Sequence, residues 1–303
     1  DIPKKEAAMR TLEYTVDDAE NGLTAEQFLK QLGLSRNVIS LLKSVPGAIC
    51  ADGKPVFGSS RLAAGQRFVL SLPPEAPSQA LIPTPMDLDI VYEDRDLLVI
   101  NKAAGVPVHP SQGNHGNTLA EGVTWLAAQR GEPFLFRAVN RLDRDTSGLL
   151  IAAKHVISAS LLSAMTAARE IHREYLAVAL GETDAEGTID APIARKEGSV
   201  IQREVNFQRG ERAVTHYQRI LYRPEADLSL VRLRLETGRT HQIRVHMAYI
   251  GHPLPGDFLY CPDYTRIRRQ ALHSHALSFR HPITKEELHF EAPLPDDMQR
   301  LLQ

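Results

Sequence analysis

Apolar residues at helical spacing predict two short helices near the start of the chain. Thr24 and Gln27 have the spacing of a capping box, and the apolar residues that follow predict a helix that ends at Gly33. Ser35 can cap a second helix over residues 36–44, whose apolar side chains fall on one face. The polar and apolar pattern therefore predicts a pair of helices joined by a tight turn.

Short strand patterns follow these helices at residues 48–50 and 67–70. Together they predict a small αα-β unit over residues 11–71. Five prolines then occur within residues 72–85, and because proline stiffens a chain and removes backbone donors, we interpret this stretch as a linker. The remainder, residues 86–303, is predicted to form a larger second unit.

The larger unit is rich in strand patterns and poor in helical ones. Helical spacing is confined to residues 158–170 and 241–250. Strands are predicted at residues 89–92, 97–100, 148–154, 173–180, 214–221, 228–236, 272–279 and 287–290. Since strands and helices do not alternate regularly, we predict an α+β fold on a mixed or antiparallel sheet.

The composition of the 303 residues, 43% hydrophobic and 24% charged, is typical of a soluble globular protein. Its longest apolar runs, such as residues 148–153, are too short for a membrane span, and no signal-peptide pattern precedes them. Two cysteines, Cys50 and Cys261, cannot supply a disulfide framework. We therefore expect a monomer in the cytoplasm, away from membranes.

The net charge of −2 conceals a gradient along the chain. Residues 1–100 carry a charge of −4, whereas residues 191–250 carry ten arginines and one lysine against six acidic residues, a surplus of +5. A planar guanidinium suits phosphates and base edges, although the same arginines could form a solvated strand face. The surplus permits a polyanionic partner without requiring one.

The sequence lacks the usual nucleotide and metal motifs. It contains neither a G-x-G-x-x-G nor a G-x-x-x-x-G-K-[ST] loop, and no H-E-x-x-H. His273, His275 and Cys261 could be imagined as metal ligands, but the histidines alternate along a strand pattern and no C-x-x-C accompanies them. We predict no metal and no cofactor.

Two polar clusters could carry chemistry. Residues 140–148 (NRLDRDTSG) place two arginines and two aspartates directly before an apolar strand, which is either a surface ion-pair cluster or a catalytic loop fixed by that strand. In residues 237–246 (TGRTHQIRVH), Thr240 can cap a helix, and Arg239 and Arg244 fall on its polar side. This second cluster is either a capped surface helix or an anion-binding site.

Together the clusters resemble the RluA/RluD-type pseudouridine synthases, whose signature H-R-L-D-x-x-T-S-G-L is similar to residues 140–149. Further similar segments are residues 96–110, 173–178 and 237–246, together with Gly256-Asp257, so that the resemblance extends in order over residues 89–298. The N-terminal unit is similar to a small RNA-binding module first described in a ribosomal protein. The resemblance implies a catalytic domain that isomerises uridine in RNA, preceded by an RNA-binding module.

Site residues follow from the resemblance. Asp143 is the expected catalytic residue, whose carboxylate attacks C1′ or accepts the C2′ proton, and Arg239 is expected to pair with it and keep it ionised. Tyr175 is expected to pack against the uracil and relay its C5 proton, with Ile243 also against the base. Arg141 is expected to fill the gap left in the stack by the flipped uridine.

In the small unit, Ser35 and Arg36 are expected to contact RNA. The expected target is large-subunit ribosomal RNA, or failing that tRNA. Asn140 departs from the family pattern, which has histidine, and either orients the loop or alters target choice. Two alternatives stay open: an RNA-binding protein without catalysis, and a glycoside hydrolase using Asp143 and Asp145 as a carboxylate pair.

Overall fold

A computed structural model of the chain describes residues 10–72, 75, 78–111, 116–132 and 134–303. The first part forms a four-stranded antiparallel sheet in the order β1-β4-β2-β3, with two helices packed on it. These elements are β1 (Thr11–Thr15), α1 (Ala25–Gln31), α2 (Arg36–Ser44), β2 (Ile49–Ala51), β3 (Lys54–Pro55) and β4 (Arg67–Ser71). The predicted helices, their Thr24 capping box and their Ser35 cap are confirmed. The prediction missed β1.

The rest of the chain builds a ten-stranded sheet in the order β10-β13-β14-β9-β15-β8-β6-β5, with β16 on β15 and β7 on β8. Its pairs are antiparallel except β8 with β15. The strands are β5 (Asp89–Glu93), β6 (Leu97–Lys102), β7 (Arg137–Ala138), β8 (Ser147–Ala153), β9 (His172–Leu180), β10 (Glu186–Asp190), β13 (Val214–Arg223), β14 (Leu228–Leu235), β15 (Leu272–Arg280) and β16 (Glu287–Glu291). A separate hairpin consists of β11 (Ile193–Arg195) and β12 (Arg203–Val205).

Few helices accompany this sheet, which confirms the predicted α+β fold. They are α3 (Leu119–Gln129), α4 (Val156–Ala167), α5 (Gln242–Tyr249) and α6 (Asp296–Gln299), the last continued by a 3-10 turn (Arg300–Leu302). The prediction missed α3, although Thr118 and Glu121 have capping-box spacing and form that cap. Among the described residues, no helix combines the length and apolarity needed to span a membrane.

Strand β8 lies between two hydrophobic cores. Leu150 and Ala152 belong to the core beneath α3 and α5, whereas Leu149, Ile151 and Ala153 belong to the core beneath α4. Because successive side chains of a strand point to opposite faces, a strand buried on both faces needs a continuous apolar run. Such burial fixes the strand and, with it, the charged loop that precedes it.

The small unit packs against α4. Its core includes Ile157 and Leu161 of that helix, and the backbone N–H of Ser35 donates to Ser160 Oγ over 2.8 Å. Arg10 adds two hydrogen bonds to the Asp96 carboxylate, of 3.0 and 2.8 Å. The predicted linker falls partly outside the described residues, and the domain boundaries stay a prediction.

Candidate active site

The charged loop over residues 140–148 turns back on itself just before β8. The Thr146 N–H donates to the Asp143 carbonyl over 3.1 Å, and the Asp143 side chain is half-buried. Gly148 has a φ of +109°, and a Cβ there would lie 2.2 Å from the Ser274 carbonyl oxygen on β15. Only glycine fits this conformation and this approach, so the loop enters the sheet at a position that allows no side chain.

Backbone carbonyls of the loop accept hydrogen bonds from three residues outside it. Lys102 is buried, and its Nζ donates to the Arg144 carbonyl over 2.9 Å as well as to two other backbone carbonyls. Gly105 N–H also donates to the Arg144 carbonyl, and Arg269 donates to the carbonyl of Asp145. Burial lowers the pKa of Lys102 to about 7 from its ordinary 10.5, opposed by the charges of Asp145 and Asp143.

Asp143 forms its ion pair with Arg244. Arg244 Nη1 donates to Asp143 Oδ2 over 2.8 Å. Another edge of the guanidinium binds Asp257: Nε and Nη2 donate to its carboxylate over 2.6 and 2.7 Å. Arg244 and Asp257 are almost completely buried, and although burial opposes it, the two carboxylates raise the pKa of Arg244. A fixed, buried cation therefore holds one oxygen of the Asp143 carboxylate.

The expectation that Arg239 pairs with Asp143 is wrong. Arg239 is exposed, forms an ion pair with Glu211 and donates through Nε to the Arg212 carbonyl over 3.1 Å. The physical reason is the position of the buried Asp257 carboxylate, which draws Arg244 into the core beside Asp143. Gly256-Asp257 was among the matching segments of the sequence, and its acidic residue was the available signal.

The start of α5 also differs from the prediction. Thr240 does not cap the helix; His241 occupies the N-cap position with a φ of +59° and makes no side-chain cap. Gln242 instead turns its Oε1 towards the Arg239 N–H, at 3.0 Å, and accepts a hydrogen bond from Thr237 Oγ1. The prediction that Arg239 and Arg244 lie on an exposed polar side of this helix is likewise wrong, since residues 242–247 are all buried.

Tyr175 and Ile243 lie together in the core behind Asp143, with Leu142. Tyr175 lies on β9 opposite Ser274 of β15. Burial raises the pKa of the Tyr175 phenol; Arg173 opposes this rise and the Asp143 charge adds to it. The phenol is therefore protonated at neutral pH, at the apolar wall of the site.

Arg141 is exposed at the start of the loop and makes no hydrogen bond or ion pair with another described residue. Its charge adds to the effect of burial in lowering the pKa of His109. Asn140, where the family pattern has histidine, is buried; its Oδ1 accepts the Ile151 N–H over 2.9 Å, and its Nδ2 has no partner among the described residues. Asn140 thus orients the loop against β8.

Ser35 and Arg36 lie at the start of α2 and share no hydrogen bond or ion pair with the Asp143 loop within the described part of the chain. Ser35 Oγ accepts the Val38 N–H over 3.4 Å and its backbone faces α4, whereas Arg36 is exposed. The structure therefore brings together Asp143, Tyr175, Ile243 and Arg141, and leaves the small-unit residues apart from them.

Among the described residues, one group of side chains has metal-ligand spacing: Asp94, Asp96 and His281. Protein partners already engage all three. Asp96 accepts hydrogen bonds from Arg10 and pairs with His155, and His281 Nε2 lies 2.8 Å from Asp94 Oδ2. Two backbone N–H groups donate to His281 Nδ1, so its hydrogen is on Nε2, directed at the carboxylate. The group holds polypeptide segments together.

Comparison with known proteins agrees with this geometry. Residues 96–249 match the RNA pseudouridylate synthase family. The chain is 41% identical over 282 residues to the Bacillus subtilis protein named uncharacterized RNA pseudouridine synthase YjbO, covering 93% of this chain and 99% of that protein. It is 39% identical over 287 residues to ribosomal large subunit pseudouridine synthase D of Zymomonas mobilis, covering 88% and 87% of the two chains.

A solved structure shows the same relationship. Human RNA pseudouridylate synthase domain containing 1 aligns with a TM-score of 0.57 at 28% identity, over 68% of this chain and 83% of the human one. The resemblance to the pseudouridine synthases is thereby confirmed, and the matched residues include Asp143, Tyr175 and Arg244. The resemblance of the small unit to an RNA-binding module stays a prediction. The chain belongs to the family of RNA pseudouridylate synthases.

Proposed function

We propose that this enzyme isomerises uridine in large-subunit ribosomal RNA, with Asp143 as the catalytic residue. The observation that carries the proposal is the position of the Asp143 carboxylate. It is half-buried, lies in the loop that precedes β8, and is held by the buried Arg244. Relatives named ribosomal large subunit pseudouridine synthase D, at 37–39% identity, support this RNA as the target.

The reaction breaks the N1–C1′ bond, rotates the uracil and joins C5 to C1′, while the C5 proton leaves and N1 is protonated. An ionised Asp143 either attacks C1′ or accepts the C2′ proton. In both routes the hydrogen bond from Arg244 fixes the direction of the Asp143 carboxylate. We assign to Arg244 the role that the sequence had suggested for Arg239.

Tyr175 and Ile243 form the apolar wall on which we expect the flipped uracil to rest. Because burial keeps the Tyr175 phenol protonated, a relay of the C5 proton through it requires the phenol to give up its own proton in the same step. Arg141, exposed and unpaired within the described part of the chain, is suited to enter the gap that base flipping leaves.

The small unit is proposed to bind a neighbouring part of the RNA, with Arg36 and the polypeptide around Ser35 as its contacts. Its packing on α4 supports a fixed relation between this contact and Asp143. That the enzyme is monomeric and cytoplasmic stays a prediction from the sequence.

The test of catalysis measures tritium released from C5 of uridine in large-subunit rRNA and in tRNA. Asp143→Asn is expected to lower release by on the order of a thousandfold or more, because the amide is neither a nucleophile nor a base. Asp145→Asn is the matched control, since among the described residues its carboxylate accepts hydrogen bonds from the exposed Arg144 alone. Equal activity of wild type and Asp143→Asn would remove Asp143 from the mechanism.

The alternatives give different results in this assay. RNA binding with no tritium release from any cellular RNA would indicate an RNA-binding protein without catalysis. Absence of tritium release, together with hydrolysis of a glycoside that is lost equally in Asp143→Asn and Asp145→Asn, would favour the glycoside hydrolase. Mapping pseudouridines in a strain that lacks the protein then identifies the target: a missing large-subunit rRNA site is expected, and a missing tRNA site instead would contradict the proposed substrate.

A further inference from the structure

His241 lies beside Asp143 in an unusual backbone conformation. It precedes α5 with a φ of +59° and a ψ of 18°, the left-handed region that side chains with a Cβ rarely adopt. Its imidazole makes no helix cap, which is the usual benefit of a polar residue at this position. The strained backbone instead turns the ring towards the catalytic carboxylate.

The hydrogen bonds of the ring determine which nitrogen carries its hydrogen. Tyr260 Oη accepts the Arg203 N–H over 2.9 Å, so its own hydrogen is free to point at His241 Nδ1, 3.2 Å away. With the Tyr260 hydroxyl donating, Nδ1 is the acceptor, and in the neutral ring the hydrogen is then on Nε2. Burial lowers the pKa of His241; the facing Asp143 and Asp257 oppose this, whereas Arg244 and Arg203 add to it.

The Nε2–H has no hydrogen-bond acceptor among the described residues. It lies 3.9 Å from Asp143 Oδ1, beyond the reach of a hydrogen bond. The ring is mostly buried but still open to the site, with its side chain 12% exposed. An oriented donor thus borders the position where the reacting nucleotide meets Asp143, and the protein leaves it unsatisfied.

We propose that His241 is a further catalytic residue, which donates its Nε2–H to the uracil O2 of the target uridine. The inference rests on the proposed function. When the N1–C1′ bond breaks, its electron pair stays with the uracil, whose negative charge spreads over N1, O2 and O4. A preformed neutral donor at O2 stabilises that anion more than it stabilises the intact nucleotide, so it lowers the barrier rather than only improving binding.

Steady-state kinetics on in vitro transcribed large-subunit rRNA, tritiated at C5 of uridine, test the proposal. His241→Leu, which has no donor, is expected to lower kcat about 100-fold while KM changes less than about threefold. His241→Gln retains an N–H near the same position and is expected to restore kcat to within about tenfold of wild type. Thermal unfolding of each variant checks that the fold is kept.

Tyr260→Phe keeps the histidine but removes the hydroxyl that fixes its tautomer. It is expected to lower kcat about tenfold, because the ring can then carry its hydrogen on Nδ1, and it serves as the deciding variant if His241→Leu does not fold. A kcat unchanged in both variants, or a rise in KM alone, would overturn the role of His241 while Asp143-dependent activity remained. A wild type without any activity would instead overturn the proposed function as well.

Discussion

Arg239 and Arg244 lie five residues apart in one segment, yet they occupy opposite environments. Arg239 is exposed and pairs with Glu211, itself mostly in solvent. Arg244 is buried between Asp143 and Asp257. The same side chain in the same motif is a surface cation in one case and part of the active site in the other.

The contrast shows that burial against a counter-charge decides which arginine pairs with Asp143. An exposed ion pair is screened by water and contributes little to stability, about 0–1 kcal/mol. A buried guanidinium is tolerated only when carboxylates satisfy it, and it then holds them in a fixed geometry. Arg244 can therefore set the direction of the Asp143 carboxylate, whereas Arg239 cannot.

Replacing each arginine by methionine should give the largest difference. Arg244→Met leaves Asp257 buried without its cation and is expected to cost about 3–5 kcal/mol of unfolding free energy and to abolish tritium release. Arg239→Met is expected to change stability by less than about 0.5 kcal/mol. Urea unfolding and the tritium assay measure both effects. Similar losses in the two variants would show that the difference in burial does not separate their roles.

Replacing the acidic partners of these arginines, Asp257 and Glu211, should give a smaller difference in stability and activity. Asp257→Asn keeps the shape of the side chain but weakens two charge-assisted hydrogen bonds, at a cost of about 2–3 kcal/mol. Because Arg244 then loses its orientation, kcat is expected to fall at least tenfold. Glu211→Gln is the matched control on Arg239 and should change neither stability nor kcat. An active, fully stable Asp257→Asn enzyme would show that Asp143 alone positions Arg244.

Lys102, buried against the backbone of the Asp143 loop, makes the free energy of unfolding depend on pH. Its pKa of about 7 in the folded protein lies below the ordinary 10.5, so between these values the unfolded chain binds a proton that the folded chain does not. Stability contributed by Lys102 therefore rises with pH through this window. Relative to Lys102→Met, wild type should gain stability between pH 6.5 and pH 9.5 in urea unfolding. If the unfolding free energy of wild type minus that of Lys102→Met stays constant or falls as pH rises, the lowered pKa is contradicted.

Arg239→Met provides the baseline for that measurement. Arginine keeps its charge throughout this pH range, so its removal should alter stability equally at both ends. Any pH dependence common to the two variants then belongs to other groups and can be subtracted.

The smallest expected effect concerns salt. Seven of the ten arginines in residues 191–250 already pair with protein carboxylates, so few are free for phosphates. The paired arginines are Arg209, Arg212, Arg219, Arg232, Arg234, Arg239 and Arg244. The logarithm of the RNA binding constant should fall with that of salt concentration at a slope of about −3, equivalent to about four phosphates. A slope equivalent to ten phosphates would mean that these surface pairs open on binding.

The sequence predicted the regular elements best where a single pattern was unambiguous. The continuous apolar run of β8 and the capping box of α1 were both identified correctly. Strand β1 was missed, although Leu12 and Val16 are buried and Tyr14 packs against the same core. The hairpin of β11 and β12 was missed because strands of three residues show too little periodicity.

For the candidate site, the local sequence identified the loop that carries Asp143, but it did not identify Arg244 as the cation that pairs with this residue. Both arginines of residues 237–246 fit the expected polar face, and nothing within that segment distinguishes them. The distinction comes from Asp257, which lies 13 residues beyond Arg244 and meets it only in the folded protein. His241 was missed for the same reason, since its relation to Tyr260 and Asp143 depends on tertiary contacts.

Gly148 has a consequence for attempts to retarget this enzyme. A methyl group there would collide with the backbone of β15, so any other residue requires two strands of the main sheet to separate. A variant library that randomises the loop around Asp143 would consist largely of misfolded members. Diversity is better introduced at Arg141, whose exposed side chain can change without disturbing the core, so that selection acts on RNA choice rather than on folding.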